Sequence, residues 1–283
     1  MAPVRHSTLK VGPVTVFYRE AGLEGNPILL LLHGFANSSH YFRHLMPLLA
    51  ERFHLIAPDL PSFGFTKVDD ESYQYTFAQL TQTTHAFVDA LAIRRFAIYI
   101  FDYGAPIGLN IAVADPSRIS AIITQNGNAY EEGLGDAPWA PLRAHWKHPS
   151  EAIRDQIKDR MSLKGIREAY FQGVPDISKV EPEAYWLDAA LLARPGTIDL
   201  QTDLKLDYRA NIDRYPLYQQ YLLTHQPPLL AIWGKNDSFF IPPGAEAFKR
   251  DVPSAVVKFL DTGHFALETN LEDIASAILN MPM

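Results

Sequence analysis

Residues 97–112 read AIYIFDYGAPIGLNIA, and this stretch decides the fold. Its first five residues are apolar, as in a short strand that is buried on both faces, and the residues from Gly104 onward favour a helix. Between the two, Asp102 and Tyr103 form a tight turn. A strand, one reactive side chain, small residues and a helix together make a nucleophile elbow, which presents its side chain at the carboxyl edge of a parallel sheet. The stretch therefore predicts such a sheet, with Asp102 as a nucleophile.

The residue type at the tip of this turn determines the chemistry. A carboxylate attacks a saturated carbon by displacement and leaves an alkyl ester on the protein, which water then hydrolyses. A serine at the same position would indicate an esterase or a lipase, whereas Asp102 indicates a protein that opens epoxides or displaces halide. The alternative interpretation is an ordinary aspartate that caps the following helix. The other parts of a catalytic site, described below, favour the nucleophile.

The composition is that of an ordinary globular protein. The chain has 283 residues, of which 47% are hydrophobic and 20% charged, enough for one large domain with an insertion. The net charge of −7 gives no electrostatic reason to expect binding to nucleic acid or to an anionic membrane. The chain has no cysteine, no signal-like apolar run near its N-terminus and no phosphate- or dinucleotide-binding glycine motif. We expect a cytoplasmic protein without disulfides, metal, cofactor or transmembrane helix.

Strand-like and helix-like segments alternate over most of the chain, which predicts a mostly parallel, doubly wound α/β sheet. The expected strands are residues 14–18, at a sheet edge, 28–32, 53–57, 97–101, 119–124, 229–233 and 255–260, and the expected helices beside them are residues 76–92, 104–114 and 274–279. Between Thr124 and Leu229 the alternation is replaced by helical segments rich in Trp, Tyr and Pro, at residues 150–161, 164–172, 182–192 and 206–222. We therefore expect a core domain of residues 1–126 and 228–283, and a helical cap of residues 127–227 over the site.

A base and an acid follow the last two predicted strands. The segment DTGHFALE, residues 261–268, places His264 on a loop that can reach over the carboxyl edge of the sheet. The segment WGKND ends in Asp237, which would accept the proton of His264 and orient its ring. The order nucleophile, acid, histidine is the one found in this architecture. Glu131 and Glu132, which follow the strand at 119–124, are the alternative acids.

The loop after the strand at 28–32 reads HGFAN and is expected to stabilise negative charge. We predict that the backbone N–H groups of Phe35 and Tyr103 point at one carboxylate oxygen of Asp102. Gly34 belongs to the same loop, and His33 is expected to hold the loop by hydrogen bonds rather than to act as a second catalytic histidine.

These residues together resemble the α/β-hydrolase superfamily, from about Val11 to Met283. The motifs HGFANSS, DLPSFGFT, FDYGAPIG, WGKNDSFF and DTGHFALE stand in family order. The resemblance implies the α/β-hydrolase fold with a cap inserted between two strands. Because the residue at the elbow is aspartate, the chain resembles the epoxide hydrolases and haloalkane dehalogenases within that superfamily.

The resemblance to the dehalogenases is incomplete. They generally place Trp after the nucleophile, where its indole N–H holds the halide, but this chain has Tyr103 there. Their second halide donor is usually Asn beside the oxyanion glycine, where this chain has Phe35, or a Trp in the cap. The cap tryptophans are Trp139, Trp146 and Trp186, and Trp186 is the candidate for substrate binding.

The resemblance to epoxide hydrolases implies one or two cap tyrosines that donate a proton to the epoxide oxygen. The segment LDYRAN resembles the one that carries such a residue and makes Tyr208 a candidate, and AYFQ makes Tyr170 a second one. The alternative is that both are packing aromatics. Ala36, where the oxyanion loop usually has proline, and Tyr103 both depart from the pattern.

The function expected from the sequence is that of an epoxide hydrolase, which converts a small, mainly apolar epoxide and water into a vicinal diol. The alternatives are a haloalkane or haloacid dehalogenase, a related enzyme in which Asp102 acts as a base, and a non-catalytic ligand-binding protein of the same fold. We expect a monomer or a homodimer, with no nucleic acid or membrane as partner.

Overall fold

The central feature of the protein is one sheet, seen in a computed structural model that describes residues 3–282. Within those residues the sheet has nine strands, in the spatial order β1-β2-β4-β3-β6-β7-β8-β9, with β5 paired to β2. The strands are β1 (Arg5–Val11), β2 (Val14–Ala21), β3 (Ile28–Leu32), β4 (His54–Pro58), β5 (Lys67–Val68), β6 (Phe96–Phe101), β7 (Ile119–Gln125), β8 (Leu229–Gly234) and β9 (Val256–Leu260). In this spatial order, every neighbouring pair from β4 through β3 to β9 is parallel. Among the named strands, only the pairs that β2 forms with β1, β4 and β5 are antiparallel. The predicted α/β-hydrolase fold is confirmed.

Helices cover both faces of this sheet and follow the alternation of the buried strands. In β6, Ile98 and Ile100 belong to one apolar cluster, and Tyr99 and Phe101 belong to the other. The helices are α1 (Leu45–Leu49), α2 (Phe77–Ala90), α3 (Gly104–Ala114), α4 (Asp136–Lys147), α5 (Glu151–Asp159), α6 (Leu163–Phe171), α7 (Pro182–Leu192), α8 (Thr197–Asp207), α9 (Arg209–Ile212), α10 (Tyr215–His225), α11 (Pro242–Asp251) and α12 (Leu271–Leu279). Helices α2, α3 and α11 pack on the first cluster, whereas α1 and α12 pack on the second. The central strands are therefore buried on both faces, as their continuous apolar runs require.

The strand order brings the loops of the site together. Strand β3 pairs with β6 in parallel, with Leu32 opposite Ile100, so the loop after β3 meets the turn that carries Asp102. Strands β8 and β9 continue the sheet in the same direction, and the loops after them carry Asp237 and His264. The carboxyl ends of parallel strands lie at one edge of the sheet, which is where ligands bind in open α/β sheets.

Helices α4 to α10 lie between β7 and β8 in the chain, where the sequence predicts an all-helical insertion. The helix expected at residues 206–222 is interrupted twice. Helix α8 ends at Asp207, the short α9 follows it, and α10 begins at Tyr215 with Pro216 in its first turn. Helix α4 was not predicted at all, since Pro138 and Pro141 interrupt its pattern.

One strand lies elsewhere than expected. Residues 14–18 were expected at an edge of the sheet, but β1 pairs outside β2 and occupies that edge. Of the helices that the structure describes, none combines the length and the apolar character needed to cross a membrane.

Candidate active site

The carboxylate of Asp102 is held at the sharp turn between β6 and α3. Its φ of 47° lies in the left-handed region, which is uncommon for a non-glycine residue and places the side chain at the tip of the turn. Oxygen Oδ1 accepts hydrogen bonds from the backbone N–H of Phe35 at 2.7 Å and of Tyr103 at 2.6 Å. These are the two donors that the sequence predicts. The side chain is buried, and its other oxygen, Oδ2, is left without a backbone donor.

Gly34 allows the loop after β3 to approach Asp102 this closely. A Cβ atom at position 34 would lie 2.3 Å from the Cβ of Asp102, far inside van der Waals contact. The adjacent His33 is fully buried, and its Nδ1 lies 3.0 Å from the Gly34 carbonyl oxygen. Its Nε2 accepts a hydrogen bond from the N–H of Leu60 at 3.0 Å, and burial lowers its pKa. His33 therefore braces the loop in the neutral form and does not line the cavity.

His264 bridges two carboxylates. Its Nδ1 lies 2.7 Å from Oδ2 of Asp237, and its Nε2 lies 3.6 Å from Oδ2 of Asp102. The buried Asp237 also accepts hydrogen bonds from Asn126 Nδ2 at 2.8 Å and from the N–H of Phe239 at 2.7 Å. This geometry fixes the imidazole with Nε2 directed toward Asp102.

The alternative acids lie away from the histidine. Glu132 forms an ion pair with Arg250 at 2.6 Å, and Glu131 is exposed beside it. At the end of β7, the amide of Asn126 donates a hydrogen bond to Asp237, the carboxylate that binds His264. The structure thus brings Asp237, and neither glutamate, to His264.

The pKa of His264 is raised to about 10 by its two neighbours. Burial alone lowers this pKa. The negative charges of Asp237 and Asp102, and the hydrogen bonding of the imidazole to both carboxylates, together outweigh that effect. The imidazole is therefore held as a cation while Asp102 carries its charge.

A cavity of about 350 Å³ opens above Asp102 and His264, between the sheet edge and the inserted helices. That volume suits a small organic molecule. Most of the lining is apolar and aromatic, and the charged or titratable groups are few. The lining residues are Phe35, Ala36, Asp102, Tyr103, Pro138, Trp139, Leu142, Arg160, Gly165, Ile166, Glu168, Ala169, Gln172, Lys205, Tyr208, Phe239, Phe240, His264 and Phe265.

Tyr208 is the cap tyrosine that reaches this cavity. Its ring centroid lies 4.8 Å from that of Trp139 and 5.9 Å from that of Tyr103. Its hydroxyl lies 3.3 Å from the hydroxyl of Tyr215, and burial raises its pKa well above the usual value. Tyr208 is therefore neutral and has its ring against the residue that follows Asp102.

The assignment of Tyr170 as a second proton donor is corrected by the structure. Its hydroxyl donates to Asp188 at 2.6 Å and accepts from Asn37 at 2.7 Å, and the residue does not line the cavity. Its ring stacks on Phe265, with 4.0 Å between the centroids, and Phe265 faces the cavity in its place. Tyr170 is thus part of the contact between the inserted helices and the loop after β3.

The assignment of Trp186 to substrate binding is also corrected. Trp186 is 57% exposed on α7 and does not line the cavity. The other three tryptophans donate their indole N–H to backbone carbonyls: Trp139 to Phe239 at 2.9 Å, Trp146 to Leu206 at 2.8 Å and Trp233 to Phe240 at 2.7 Å. Because an indole has a single donor, none of the four can hold a halide in the cavity.

Lys205 is a charged residue of the cavity that the sequence analysis missed. It lies three positions before Tyr208, and residues three apart on a helix share a face. That spacing was the available signal, because a face that presents Tyr208 to a cavity also presents Lys205. Within residues 3–282, no group of three or more His, Asp or Glu side chains could hold a metal ion.

Comparisons with known proteins agree with this fold. A family model described as the alpha/beta hydrolase fold matches residues 27–153. An uncharacterized hydrolase of Saccharomyces cerevisiae is 49% identical over 271 residues, which cover 95% of this chain and 93% of that protein. The chain belongs to the α/β-hydrolase superfamily and is a hydrolase of that fold.

Two more distant relatives carry more specific names. Epoxide hydrolase 4 of Mus musculus is 24% identical over 275 residues, which cover 93% of this chain and 74% of that protein. A haloalkane dehalogenase of Mesorhizobium japonicum is 36% identical over 118 residues, which cover 42% of this chain and 37% of that protein.

Proposed function

We propose that the protein is an epoxide hydrolase that acts through a covalent ester on Asp102. The observation that carries the proposal is the arrangement of the Asp102 carboxylate, with Oδ1 bound by two backbone N–H groups and Oδ2 facing His264 across the cavity. In the first step, Oδ2 attacks an epoxide carbon, the carbon–oxygen bond of the ring breaks, and an alkyl ester forms. The ring oxygen leaves as an alkoxide that must take up a proton.

Tyr208 supplies that proton in this proposal. Asn128 Nδ2 donates to the Tyr215 hydroxyl at 3.3 Å, so the hydroxyl hydrogen of Tyr215 is free to bond the Tyr208 oxygen 3.3 Å away. The hydroxyl hydrogen of Tyr208 then remains available to the substrate. Burial raises the pKa of this phenol above its usual value of about 10, which brings it closer to that of an alkoxide, so the two oxygens can share a proton in the transition state.

His264 acts in the second step, and formation of the ester itself prepares it to do so. The ester carries no charge, so the attraction of Asp102 that helps to raise the pKa of His264 disappears. The pKa of His264 falls, so the imidazolium is a stronger acid, loses its proton to solvent and becomes a competent neutral base. It then takes a proton from water, which attacks Cγ of Asp102, while the N–H groups of Phe35 and Tyr103 stabilise the negative charge on Oδ1. Collapse of this intermediate breaks the bond between Cγ and Oδ2, the departing alkoxide takes the proton from His264, and the diol leaves with the former Oδ2.

Haloalkane dehalogenase is the second candidate. The Tyr103 hydroxyl is buried without a hydrogen-bond partner within residues 3–282 and belongs to a residue of the cavity lining, so it is a possible halide donor. The local similarity to a haloalkane dehalogenase also favours this candidate. Against it stand the four tryptophans, none of which offers an indole N–H to the cavity. The epoxide proposal needs no halide donor, and the similarity to an epoxide hydrolase extends over most of the chain.

The test combines product analysis with isotope labelling. Terminal epoxides and bromoalkanes are incubated with the protein, and diol and bromide are measured in parallel. We expect diol without bromide. A single turnover in heavy-oxygen water should place the label in Asp102 and not in the diol, because the diol oxygen comes from Oδ2. Faster bromide release than diol formation would replace the epoxide proposal by the second candidate, and label in the product alone would refute the ester.

A further inference from the structure

We propose that the substrate carries a carboxylate and that the Lys205 ammonium binds it inside the cavity. The inference deepens the proposed function and rests on it, because it names the substrate class of the same site. Lys205 belongs to α8 and lines the cavity together with Asp102 and His264.

Aromatic rings hold the Lys205 ammonium over the loop that binds Asp102. Its Nζ lies 4.2 Å from the ring centroid of Phe35 and 5.9 Å from that of Phe239. A cation over aromatic faces is stabilised by the ring quadrupole, but this contact uses none of the three N–H groups. Phe35 is also the residue whose backbone N–H binds Asp102, so the ammonium and the reacting carboxylate face the same small volume.

Within the described residues the ammonium has no carboxylate at hydrogen-bond distance. Within residues 3–282 it makes no hydrogen bond and no ion pair. Oδ1 of Asp102 is occupied by backbone N–H groups, and Oδ2 faces His264. The other acid of the lining, Glu168, is exposed and lies 3.9 Å from Lys164. The carboxylates of the lining thus have other neighbours, and within residues 3–282 the ammonium makes no hydrogen bond that a bound anion would have to replace.

A second cation adds to the argument. Burial lowers the pKa of Lys205 to about 8; the charge of Asp102 partly offsets this effect, and the charge of Arg160, which also lines the cavity, adds to it. Arg160 is exposed and makes no ion pair within the described part of the chain. Two unpaired cations near one another repel, and a bound anion relieves that repulsion. A single neutral substrate would leave both without a partner.

A carboxylate is the anion that best fits these dimensions. It is small enough to enter a cavity of about 350 Å³ together with an apolar body, and it accepts charge-assisted hydrogen bonds from an ammonium. The aromatic lining, with Trp139, Phe239 and Phe240, suits the apolar part of the same molecule. The expected substrate class is thus an epoxide of an aliphatic or arylaliphatic acid.

Binding can be tested without turnover. Isothermal titration of the protein with phenylacetate and with 2-phenylacetamide compares two unreactive probes of the same shape, one anionic and one neutral. We expect phenylacetate to bind roughly tenfold or more tightly at neutral pH, and this preference to weaken as the pH rises above about 8, where Lys205 loses its proton. Lys205→Met should abolish the preference. Lys179→Met, the same change at an exposed position of the inserted helices outside the cavity lining, should retain it.

Turnover provides the second arm. With the acid 3-phenylglycidate and its methyl ester as substrates, Lys205→Met should lower kcat/KM for the acid at least tenfold more than kcat/KM for the ester, mainly through a higher KM for the acid. Equal binding of the two probes by the unaltered protein, or an unchanged preference in Lys205→Met, overturns the proposal. An equal loss of kcat/KM on the acid and on the ester would overturn it as well, because Lys205 would then not distinguish the anionic from the neutral substrate. Since probe binding requires no ester on Asp102, failure of the epoxide chemistry leaves this result interpretable.

Discussion

Replacement of Asp237 by asparagine separates the two half-reactions of the proposed mechanism. Oδ2 of Asp237 accepts hydrogen bonds from His264 Nδ1 at 2.7 Å and Asn126 Nδ2 at 2.8 Å, and Oδ1 accepts one from the N–H of Phe239 at 2.7 Å. An asparagine has one acceptor oxygen. Its lowest-energy orientation keeps that oxygen toward His264 and Asn126 and turns its NH₂ group toward the N–H of Phe239. The variant then loses one buried hydrogen bond, which costs about 1–3 kcal/mol of stability.

The effect on ester hydrolysis should be much larger than the effect on stability. The imidazolium that forms when His264 takes a proton from water loses the negative charge beside its Nδ1. In a triad of this kind, replacing the buried aspartate by asparagine lowers the rate about 10⁴-fold. Each factor of ten corresponds to about 1.4 kcal/mol, so we expect hydrolysis to slow about 10³- to 10⁴-fold, or about 4–5.5 kcal/mol. Alkylation of Asp102 does not use His264 as a base and should slow far less.

The assay is rapid mixing with an active epoxide, followed by intact-protein mass spectrometry. The ester should accumulate in Asp237→Asn, and the pH profile of its hydrolysis should change because the pKa of His264 falls when Asp237 loses its charge. Asp251→Asn is the matched control, since that carboxylate accepts a hydrogen bond from Tyr130 outside the cavity lining. In the double variant Asn126→Asp with Asp237→Asn, the carboxylate returns on the neighbouring strand, and we expect partial recovery. Hydrolysis within tenfold of the unaltered rate in Asp237→Asn alone would refute the assignment of Asp237.

Three further outcomes follow from the same geometry. In the His264→Gln variant, Asp102 should still be alkylated, and the ester should persist as a stable mass adduct. Turnover without an adduct would contradict a base role for this histidine. Tyr208→Phe should slow alkylation about 10²- to 10⁴-fold and cost only about 1 kcal/mol of stability, because only the Tyr215 hydroxyl loses a partner, and rapid-quench kinetics with thermal unfolding measure both. Burial raises the pKa of Asp188 from 3.8 to about 7, so the folded state binds this proton more tightly and stability falls as the pH rises across that range. Unfolding of Asp188→Asn should lack that decrease, and an identical pH profile in both proteins would exclude Asp188 as its source.

The part of the site on the sheet was predictable from the sequence because local pattern and topology determine it together. Asp102 and Asp237 follow the buried strands β6 and β8, His264 follows the partly exposed edge strand β9, and the parallel direction of these strands brings their carboxyl ends to one edge. The donors to Asp102 were predictable for the same reason, since β3 pairs directly with β6. Such inferences need only the strand order of the fold and no knowledge of side-chain packing.

The part of the site on the inserted helices was not predictable in the same way. Tyr170 lies in the last turn of α6 and Tyr208 directly follows α8, and which hydroxyl faces the cavity depends on how each helix is rotated against the core. The stacking of Tyr170 on Phe265 and its hydrogen bond to Asp188 set that rotation for α6, and both partners are distant in sequence. Helix α4, with Trp139 in the cavity wall, was hidden by its prolines. Tertiary contacts, rather than the local pattern, therefore decide this half of the cavity.

The charges around the cavity connect the two proposals. Asp102 and a substrate carboxylate repel one another, and a cavity walled by aromatic rings screens that repulsion poorly. His264, held as a cation, balances Asp102 before the reaction, and Lys205 balances the substrate. Formation of the ester removes the charge of Asp102 while the substrate carboxylate stays on Lys205. The attraction that keeps His264 protonated therefore weakens just when a neutral base is needed, and the anchored carboxylate holds the ester in place while water attacks it.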